Sequence, residues 1–445
     1  MRTHESIAIG IPEILLPKAG IDLRKWAVIA CDQFTSEPEY WQKVSDWVGD
    51  APSTLNLIYP EVYLGEKDPE VRIARIRDNM NRYLNHGLFG QTKGFVYVER
   101  QIGGHTRKGL MVCLDLDQYD YRKGSSSLIR ATEGTILERI PPRVKIREGA
   151  PLEVPHIMVL IDDPENTVIG PLTRNKEQIE KLYDFELMME SGHLSGYRVN
   201  HSNLEEGILR SLGALADSEA FTKKYDLRPE TPVLLFAMGD GNHSLATAKT
   251  IWEKTKENAS DTNMTLNSSL RYALVELVNL HDEALVFEPI HRVLFDLAAG
   301  RNAVDEMKTF YPDRCRYTEF SNAEEMKIAI DTQKGSQHKI GTITASGFGM
   351  IEVMNPDSNL PVSTLQSFLD VFLKDEGAKE IDYVHGAETV FQLSRKPETM
   401  GFYLPAMNKH DLFKTVILDG VLPQKTFSLG EAWEKRFYME ARRLS

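Results

Sequence analysis

Residues 233–252 have the sequence Val-Leu-Leu-Phe-Ala-Met-Gly-Asp-Gly-Asn-His-Ser-Leu-Ala-Thr-Ala-Lys-Thr-Ile-Trp. This stretch predicts a strand, a tight turn and a helix in succession. The six apolar residues from Val233 to Met238 favour a strand that is covered on both faces. From Leu245 onward the apolar residues recur at helical spacing, which indicates an amphipathic helix. We expect the rest of the chain to be organised around this unit.

The turn itself has the composition of an anion-binding site. Glycine on both sides of Asp240 allows positive φ angles and lets a ligand approach the backbone closely. The first N–H groups of the following helix lack intrahelical partners and lie at the positive end of its dipole, so they favour phosphate or carboxylate. Four turn residues are therefore predicted to bind a phosphate-bearing cofactor: Gly239, Gly241, Asn242 and Ser244.

Two side chains of the same turn are candidates for chemistry. Asp240 and His243 are predicted to be catalytic, and Asp240 is also the predicted metal ligand. The alternative is an ordinary turn in which Asp240 or Asn242 caps the helix and His243 is a surface histidine.

Length and composition indicate several globular domains. A chain of 445 residues corresponds to about two to four domains. The pattern of elements predicts three regions: an N-terminal α/β region at 1–155, a central domain with the turn at 156–298, and a C-terminal α+β module with a tail helix at 299–445. The predicted fold class is therefore mixed α/β (α+β) and multi-domain.

Charge and apolar patterning exclude several classes of partner. The 52 Lys and Arg residues against 65 Asp and Glu give a net charge of −13 without a long basic run, so nucleic acid is not expected as a partner. No apolar segment has the length of a membrane span. The three cysteines have no metal-ligand spacing and are typical of free thiols in a reducing cytoplasm, which is the predicted location. The sequence leaves the oligomeric state open.

Outside the turn, several segments carry predictions that the structure can test. Trp26–Cys31 is predicted to be a strand, and Asp32 directly after it is either a turn residue, the favoured interpretation, or catalytic. Helical periodicity predicts helices at 69–88, 174–190, 202–216 and 264–277, and a charged amphipathic helix at Glu431–Arg443.

Two further polar clusters are candidate binding elements. Arg130, Thr132 and Glu133 lie close together in the sequence and could bind a phosphorylated ligand, because guanidinium grips phosphate bidentately. The alternative is a solvated loop with an internal ion pair. His291 and Arg292 could form an anion clamp, or they could be a structural basic pair beside a strand.

These segments together resemble a known family. Asp240-Gly-Asn-His-Ser-Leu-Ala-Thr-Ala248, Arg130-Ala-Thr-Glu-Gly-Thr135, Pro289-Ile-His-Arg292 and Pro423-Gln-Lys-Thr426 are similar to four ordered elements of the family named for domain of unknown function 1015. The family is poorly characterised, so this resemblance implies a common fold and no activity.

The turn is also similar to that of the ParB/sulfiredoxin superfamily, which includes sulfinic acid reductases, partition proteins and free-serine kinases. This resemblance implies a strand-turn-helix core that binds nucleotide phosphates. Asn242 stands where sulfiredoxin has its catalytic cysteine, so sulfinic acid reduction is not supported. Ser244 stands where an arginine is usual, so the missing charge would come from Arg130, Lys249 or Arg292.

The leading functional hypothesis is a nucleotide-dependent small-molecule phosphotransferase, with a hydroxy amino acid as one candidate substrate, or a nucleotide hydrolase. ATP or ADP with Mg²⁺ would be the cofactors, and Asp240 or Glu133 would be the base or the metal ligand. The alternatives are a metal-dependent hydrolase that uses Asp240, His243 and His291, and a non-catalytic nucleotide-binding or scaffold protein. The leading hypothesis predicts that Arg130, Glu133, Asp240, His243 and His291 line one cleft.

Overall fold

The strand predicted from the apolar run lies inside a large sheet. The computed structural model describes residues 1–259, 268–332 and 335–444. The chain divides into two units, the first formed by Met1–Leu285 with Gly430–Ser445 and the second by Val286–Leu429. The boundary predicted between 155 and 156 falls inside the first unit, because strands from both sides of it pair in one sheet.

The first unit is built on a mixed sheet. Within the described residues its main path has the strand order Glu180–Glu186, His193–Arg198, Val96–Ile102, His105–Asp115, Tyr272–Asn279, Met158–Ile161, Phe236–Asp240, Ile129–Arg130 and Tyr119–Asp120. Two short strands, Thr3–His4 and Ile9–Gly10, extend it beside His105–Asp115. We call Phe236–Asp240 the central strand; it runs antiparallel to Met158–Ile161 and parallel to Ile129–Arg130.

Both faces of this sheet are covered, as the uninterrupted apolar run predicts. Successive side chains of a strand point to opposite faces. Tyr272 and Leu274 accordingly belong to one hydrophobic cluster, with Trp26 and Trp41, whereas Ala273, Val275 and Leu277 belong to another, with Phe236 and Trp252. The two cores therefore lie on opposite faces of the same sheet.

Helices and small sheets complete the first unit. The helices are Leu23–Trp26, Pro38–Val48, Pro69–Asn85, Ile140–Arg147, Gly170–Arg174, Ser202–Leu215, Ser218–Tyr225 and Asn242–Asn258. We call Asn242–Asn258 the site helix. Three antiparallel pairs stand apart from the large sheet: Glu13–Pro17 with Phe89–Lys93, Val28–Ile29 with Phe437–Tyr438, and Leu152–Glu153 with Arg442–Arg443.

The second unit is an α+β module with its own sheet. Its strand order is Cys315–Phe320, Gly347–Val353, His338–Thr344, Met400–Tyr403, Phe287–Leu297 and Ala378–His385, and Phe427–Leu429 also pairs with Phe287–Leu297. Its helices are Ala303–Phe310, Ala323–Asp331, Pro361–Lys374, Ala387–Leu393 and Lys409–Leu418. The mixed α/β class is thus confirmed. Among the described residues no helix is long and apolar enough to cross a membrane.

Several predicted elements were wrong. Two segments predicted as helices, 174–190 and 264–277, contain the strands Glu180–Glu186 and Tyr272–Asn279, because their apolar residues pack on sheet faces. Positions 264–267 lie outside the described residues. The strand predicted at Trp26–Cys31 is only Val28–Ile29. Tertiary packing overrode local periodicity at each position.

The C-terminal tail differs most from the prediction. Glu431–Arg443 is not a helix; it contains the turn Ala432–Glu434 and the strands Phe437–Tyr438 and Arg442–Arg443. Three of its charged residues are buried, with Arg436 4%, Glu440 1% and Arg442 5% exposed. Charged residues at helical spacing usually indicate the solvent-exposed surface of a helix. Here several of them form internal ion pairs instead.

Arg436 is the central residue of these pairs. Its guanidinium contacts the carboxylates of Glu276, in the large sheet, and Glu440, four residues further along the tail. Arg442 contacts Glu153 at 2.5 Å in the same way. The tail is therefore held to the sheet by buried, paired charges.

Replacing Arg436 with methionine should lower the free energy of unfolding of the first unit by about 3 kcal/mol, because the buried carboxylates of Glu276 and Glu440 lose the guanidinium that they share. The loss lies at the lower end for a broken buried ion pair, since Glu276 keeps Arg107 and Glu440 keeps the Tyr183 hydroxyl. The exposed Arg443→Ala is the matched control and should change it by less than about 0.5 kcal/mol. Denaturant unfolding of both variants measures the difference. Equal stability of the two variants would show that the buried pairs are not what holds the tail.

Candidate active site

The turn between the central strand and the site helix has an unusual backbone path. Met158 pairs with Asp240 and Val159 with Met238, so Gly239 is an extra residue that forms a β-bulge. Gly241 then adopts φ 81°, ψ 28° and serves as the N-cap of the site helix. A Cβ atom at Gly241 would lie 3.1 Å from the Cα of Ile157. Only glycine meets both the angle and the space at this position.

The N-terminus of the site helix presents backbone donors. Leu245 N–H bonds to the Gly241 carbonyl at 3.0 Å and closes the first helical turn. Within the described chain, the N–H groups of Asn242, His243 and Ser244 meet no protein acceptor. The buried Oδ1 of Asn242 also has no protein partner. The three N–H groups can therefore donate to a ligand anion, as the sequence predicts, whereas Asn242 Oδ1 can only accept a hydrogen bond.

Asp240 is engaged with both oxygens. Oδ1 accepts from the Gly241 N–H at 2.8 Å, and Oδ2 lies 3.2 Å from the Lys435 ammonium of the C-terminal tail. Burial raises the pKa of the Asp240 carboxyl, but Lys435 and His156 outweigh this effect and the net pKa is below its ordinary value. Asp240 is thus an ionised partner of Lys435, which suits it poorly to act as a proton acceptor.

His156 lies at the centre of a hydrogen-bonded chain. Its Nδ1 is 2.8 Å from the hydroxyl of Tyr438, and its Nε2 is 3.2 Å from Ser244 Oγ and 3.7 Å from Asp32 Oδ2. The Tyr438 hydroxyl accepts from the Cys31 N–H at 3.1 Å, and burial raises the pKa of this tyrosine well above its usual value. His156 is therefore held through Nδ1 by Tyr438, and its Nε2 faces Ser244 and Asp32.

Two arginines lie near His243, the second histidine of the candidate site. Burial, with Arg143 and Arg139 nearby, lowers the pKa of His243 to about 4, and Asp32 partly opposes this shift. The ring is therefore neutral at physiological pH, and its Nε2 accepts from the Ile136 N–H at 3.3 Å. Arg143 itself contacts the carboxylate of Glu61, whose pKa is raised by burial.

The predicted cluster at 130–133 reaches the turn only in part. Arg130 donates to the carbonyls of Ser127, Pro232 and Val233. Pro232 and Val233 precede the central strand, whereas Asp240 lies at its other end. Thr132 Oγ1 donates to the Met238 carbonyl at 2.8 Å. Glu133 lies in the chain between Thr132 and Ile136, which contact Met238 and His243. The ligand-binding roles of Arg130, Thr132 and Glu133 stay predictions.

His291 and Arg292 belong to the second unit, where both have internal partners. His291 Nδ1 accepts from the Leu404 N–H at 3.1 Å, and burial together with Arg292 lowers the pKa of His291 to about 4. Arg292 is fully buried and donates to the Gln424 carbonyl at 3.2 Å. These contacts explain the two residues structurally, and their cofactor-binding role stays a prediction.

The donor set for a metal is sparse. Across the described residues no three His, Cys, Asp or Glu side chains come together in a group that could hold a metal ion. A hydrolytic zinc site commonly uses about three protein ligands, and the metal-dependent hydrolase stays an alternative prediction. Mg²⁺ commonly needs only one or two carboxylates besides substrate phosphates, and Asp240 as its ligand stays a prediction.

Sequence reasoning missed much of this site. Asp32 lies in a turn, which is the interpretation that the sequence favours, and nothing in the sequence singles out His156, Lys435 or Tyr438. The position of Asp32 after a buried strand was the available signal. His156 follows Pro155 and precedes the strand Met158–Ile161, but nothing local marks it as functional.

Gly241→Ala should disrupt the turn, because a Cβ at a positive φ would also press on Ile157. We expect a loss of about 1–3 kcal/mol in unfolding free energy and weaker anion binding. Gly213→Ala, in a helix where a Cβ meets nothing within 4 Å, is the control and should not destabilise the protein. Denaturation and phosphate titration measure the effects; an unchanged Gly241→Ala variant would contradict this account of the turn.

The lowered pKa of His243 predicts an acid-sensitive fold. Between the unfolded-state value near 6.5 and the folded value of about 4, the unfolded chain binds a proton that the folded chain does not, so stability falls as the pH is lowered. From pH 7 to pH 5 the parent should lose about 1–2 kcal/mol more than His243→Gln. The exposed His86→Gln should behave like the parent. If the free energy of unfolding depended on pH in the same way in all three proteins, His243 would not be the cause of acid sensitivity.

The comparisons with known proteins identify a family for this chain but no activity. No curated protein matches the chain. The matching solved structures include a mutant free serine kinase in complex with ADP, at 9% identity over 74% of this chain and 91% of that one with a TM-score of 0.38. They also include a conserved hypothetical protein from Pyrococcus furiosus, at 11% identity over 75% and 95% of the two chains with a TM-score of 0.34. SbnI with a C-terminal truncation from Staphylococcus aureus matches at 9% identity over 75% and 82%, with a TM-score of 0.32. Likeness at these TM-scores carries no functional argument.

The family match covers most of the chain. Residues 15–372 match the model described as protein of unknown function (DUF1015). This range contains the turn, the cluster at 130–135 and Pro289–Arg292, three of the four elements on which the resemblance was based. The similarity of the turn to the ParB/sulfiredoxin superfamily stays a prediction. The chain therefore belongs to the DUF1015 family of proteins of unknown function.

Proposed function

We propose that the first unit is a phosphotransferase that binds ATP at the N-terminus of the site helix and transfers a phosphoryl group to a small-molecule hydroxyl. One observation carries the proposal: the open N–H groups of the site helix, the Lys435 ammonium and the Asp32 carboxylate converge on one turn. Phosphoryl transfer needs these three elements, namely amide donors, a cation and a base, more than it needs a nucleophile on the protein.

The phosphate side would be formed by the turn. The amides of Asn242, His243 and Ser244 would hold phosphate oxygens, and the helix dipole adds to their attraction. Lys435 is 12% exposed at its side chain, so it is accessible to a phosphate while Asp240 holds it in place. The neutral His243 adds no charge, and its Nδ1–H remains a donor.

The acceptor side would use Asp32 as general base. Its side chain is 27% exposed, and its Oδ1 accepts from Gln33 Nε2 at 3.0 Å. In the proposed step the acceptor oxygen attacks the γ-phosphorus, the bond to the leaving ADP breaks, and the hydroxyl proton passes to Asp32. His156, held by Tyr438, would position Asp32 and Ser244 Oγ beside the acceptor. This assignment replaces Asp240 as base, since the ion pair with Lys435 helps to hold the pKa of Asp240 below its ordinary value.

The same site would bind water in the absence of an acceptor. Slow hydrolysis of ATP is therefore expected as a side reaction, and it provides an assay before the acceptor is known.

Asp32→Asn should lower ADP release from ATP and Mg²⁺ by about a hundredfold or more, because the amide keeps the shape of the carboxylate but cannot take a proton. ATP affinity and melting temperature should change little. Asp46→Asn, on an exposed face of Pro38–Val48, is the matched control and should retain full activity. ADP release and calorimetric ATP binding on the same preparations decide the matter. An Asp32→Asn variant as active as the parent would remove Asp32 from the mechanism, and absence of ATP binding by the parent would refute the proposed function.

A further inference from the structure

A small cavity adjoins the candidate active site inside the first unit. Its volume is about 140 Å³. Six of its lining residues are also members or neighbours of the site described above: Cys31, Glu61, Arg143, His156, Ser244 and Tyr438. The cavity therefore shares Ser244 and His156 with the candidate active site.

The rest of the wall is mainly apolar. It includes Leu57, Ile58, Met80, Ile146, Ala150 and Val154. Its charged side chains neutralise one another, since Arg143 contacts Glu61 and Arg147 contacts Glu153. A wall of this kind offers a ligand apolar contacts and no unpaired charge, and so favours a neutral apolar group.

The volume limits the size of that group. An apolar cavity of about 150 Å³ holds benzene. A cavity of 140 Å³ therefore fits an aryl ring or a branched alkyl group of about five to seven carbons. A free hydroxy amino acid such as serine has no group to fill it, and its charged ammonium and carboxylate would meet an apolar wall.

We propose that the acceptor is a neutral primary alcohol whose hydroxyl lies at Ser244 and His156 and whose aryl or branched alkyl group fills this cavity. The inference rests on the proposed function, because it names the substrate of the same transfer. Each buried methylene should lower KM about fourfold. The preference is therefore for benzyl alcohol and 3-methylbutanol over ethanol and serine.

The first experiment compares these four acceptors with ATP and Mg²⁺. The parent should show at least tenfold higher kcat/KM for benzyl alcohol than for ethanol or serine. Ala150→Leu places a larger side chain in the cavity wall and should abolish this preference while leaving ATP affinity unchanged. Ala214→Leu, at an exposed helix position, is the matched control and should retain the preference. Equal kcat/KM for the four acceptors in a parent that binds ATP would overturn the proposal.

A second measurement does not depend on catalysis. Benzyl alcohol alone should raise the melting temperature of the parent and of Ala214→Leu but not of Ala150→Leu, because a ligand that binds only the folded state stabilises it. Met80→Ala should enlarge the cavity and extend binding to 2-naphthylmethanol, which covers the case in which Ala150→Leu does not fold. If benzyl alcohol binds in this way but ATP does not bind, the cavity assignment holds and the proposed phosphotransferase fails. No shift with benzyl alcohol in the parent would overturn the cavity assignment itself.

Discussion

The contact of Arg436 with Glu276 and Glu440 is the constraint on which the candidate site depends. All three side chains are at most 4% exposed, and Glu276 lies 3.6 Å from Arg107 of its own sheet, so Arg436 is the residue that links this buried carboxylate to the tail. Buried ions without partners are costly, and the tail must therefore stay in register on the sheet. That register places Lys435 beside Asp240 and Tyr438 beside His156. The end of the chain thus completes a site whose turn lies two hundred residues earlier.

The charge balance of the site follows from this arrangement. The protein as a whole carries a net charge of −13, yet Arg139, Arg143 and Lys435 are gathered around the site helix N-terminus. Glu61 pairs with Arg143, and Asp240 pairs with Lys435. These pairs keep the two cations in position and leave the helix N–H groups accessible to a ligand. Local organisation of charge, and not overall composition, makes the turn suitable for an anion.

The two sides of the proposed reaction differ in their physical character. The phosphate side is made of backbone amides and a lysine, whereas the acceptor side combines Asp32 and His156 with an apolar cavity. A low-dielectric wall beside the base strengthens the electrostatic interactions within the site. Ser244 and His156 belong both to the site and to the cavity wall. This arrangement would align an acceptor hydroxyl with the transferred phosphoryl group.

The sequence by itself determined the strand-turn-helix, the mixed α/β class and the family, because these depend on local periodicity and on glycines whose angles are set within the turn. It also indicated that the turn could bind an anion. Only the tertiary structure decided that Asp32, His156, Lys435 and Tyr438 meet there, since they come from three separate segments. It also decided that Glu431–Arg443 is extended and buried. The i,i+4 pair Arg436 and Glu440 has helical spacing in the sequence, and its partners Glu276 and Tyr183 become visible only when the sheet has formed.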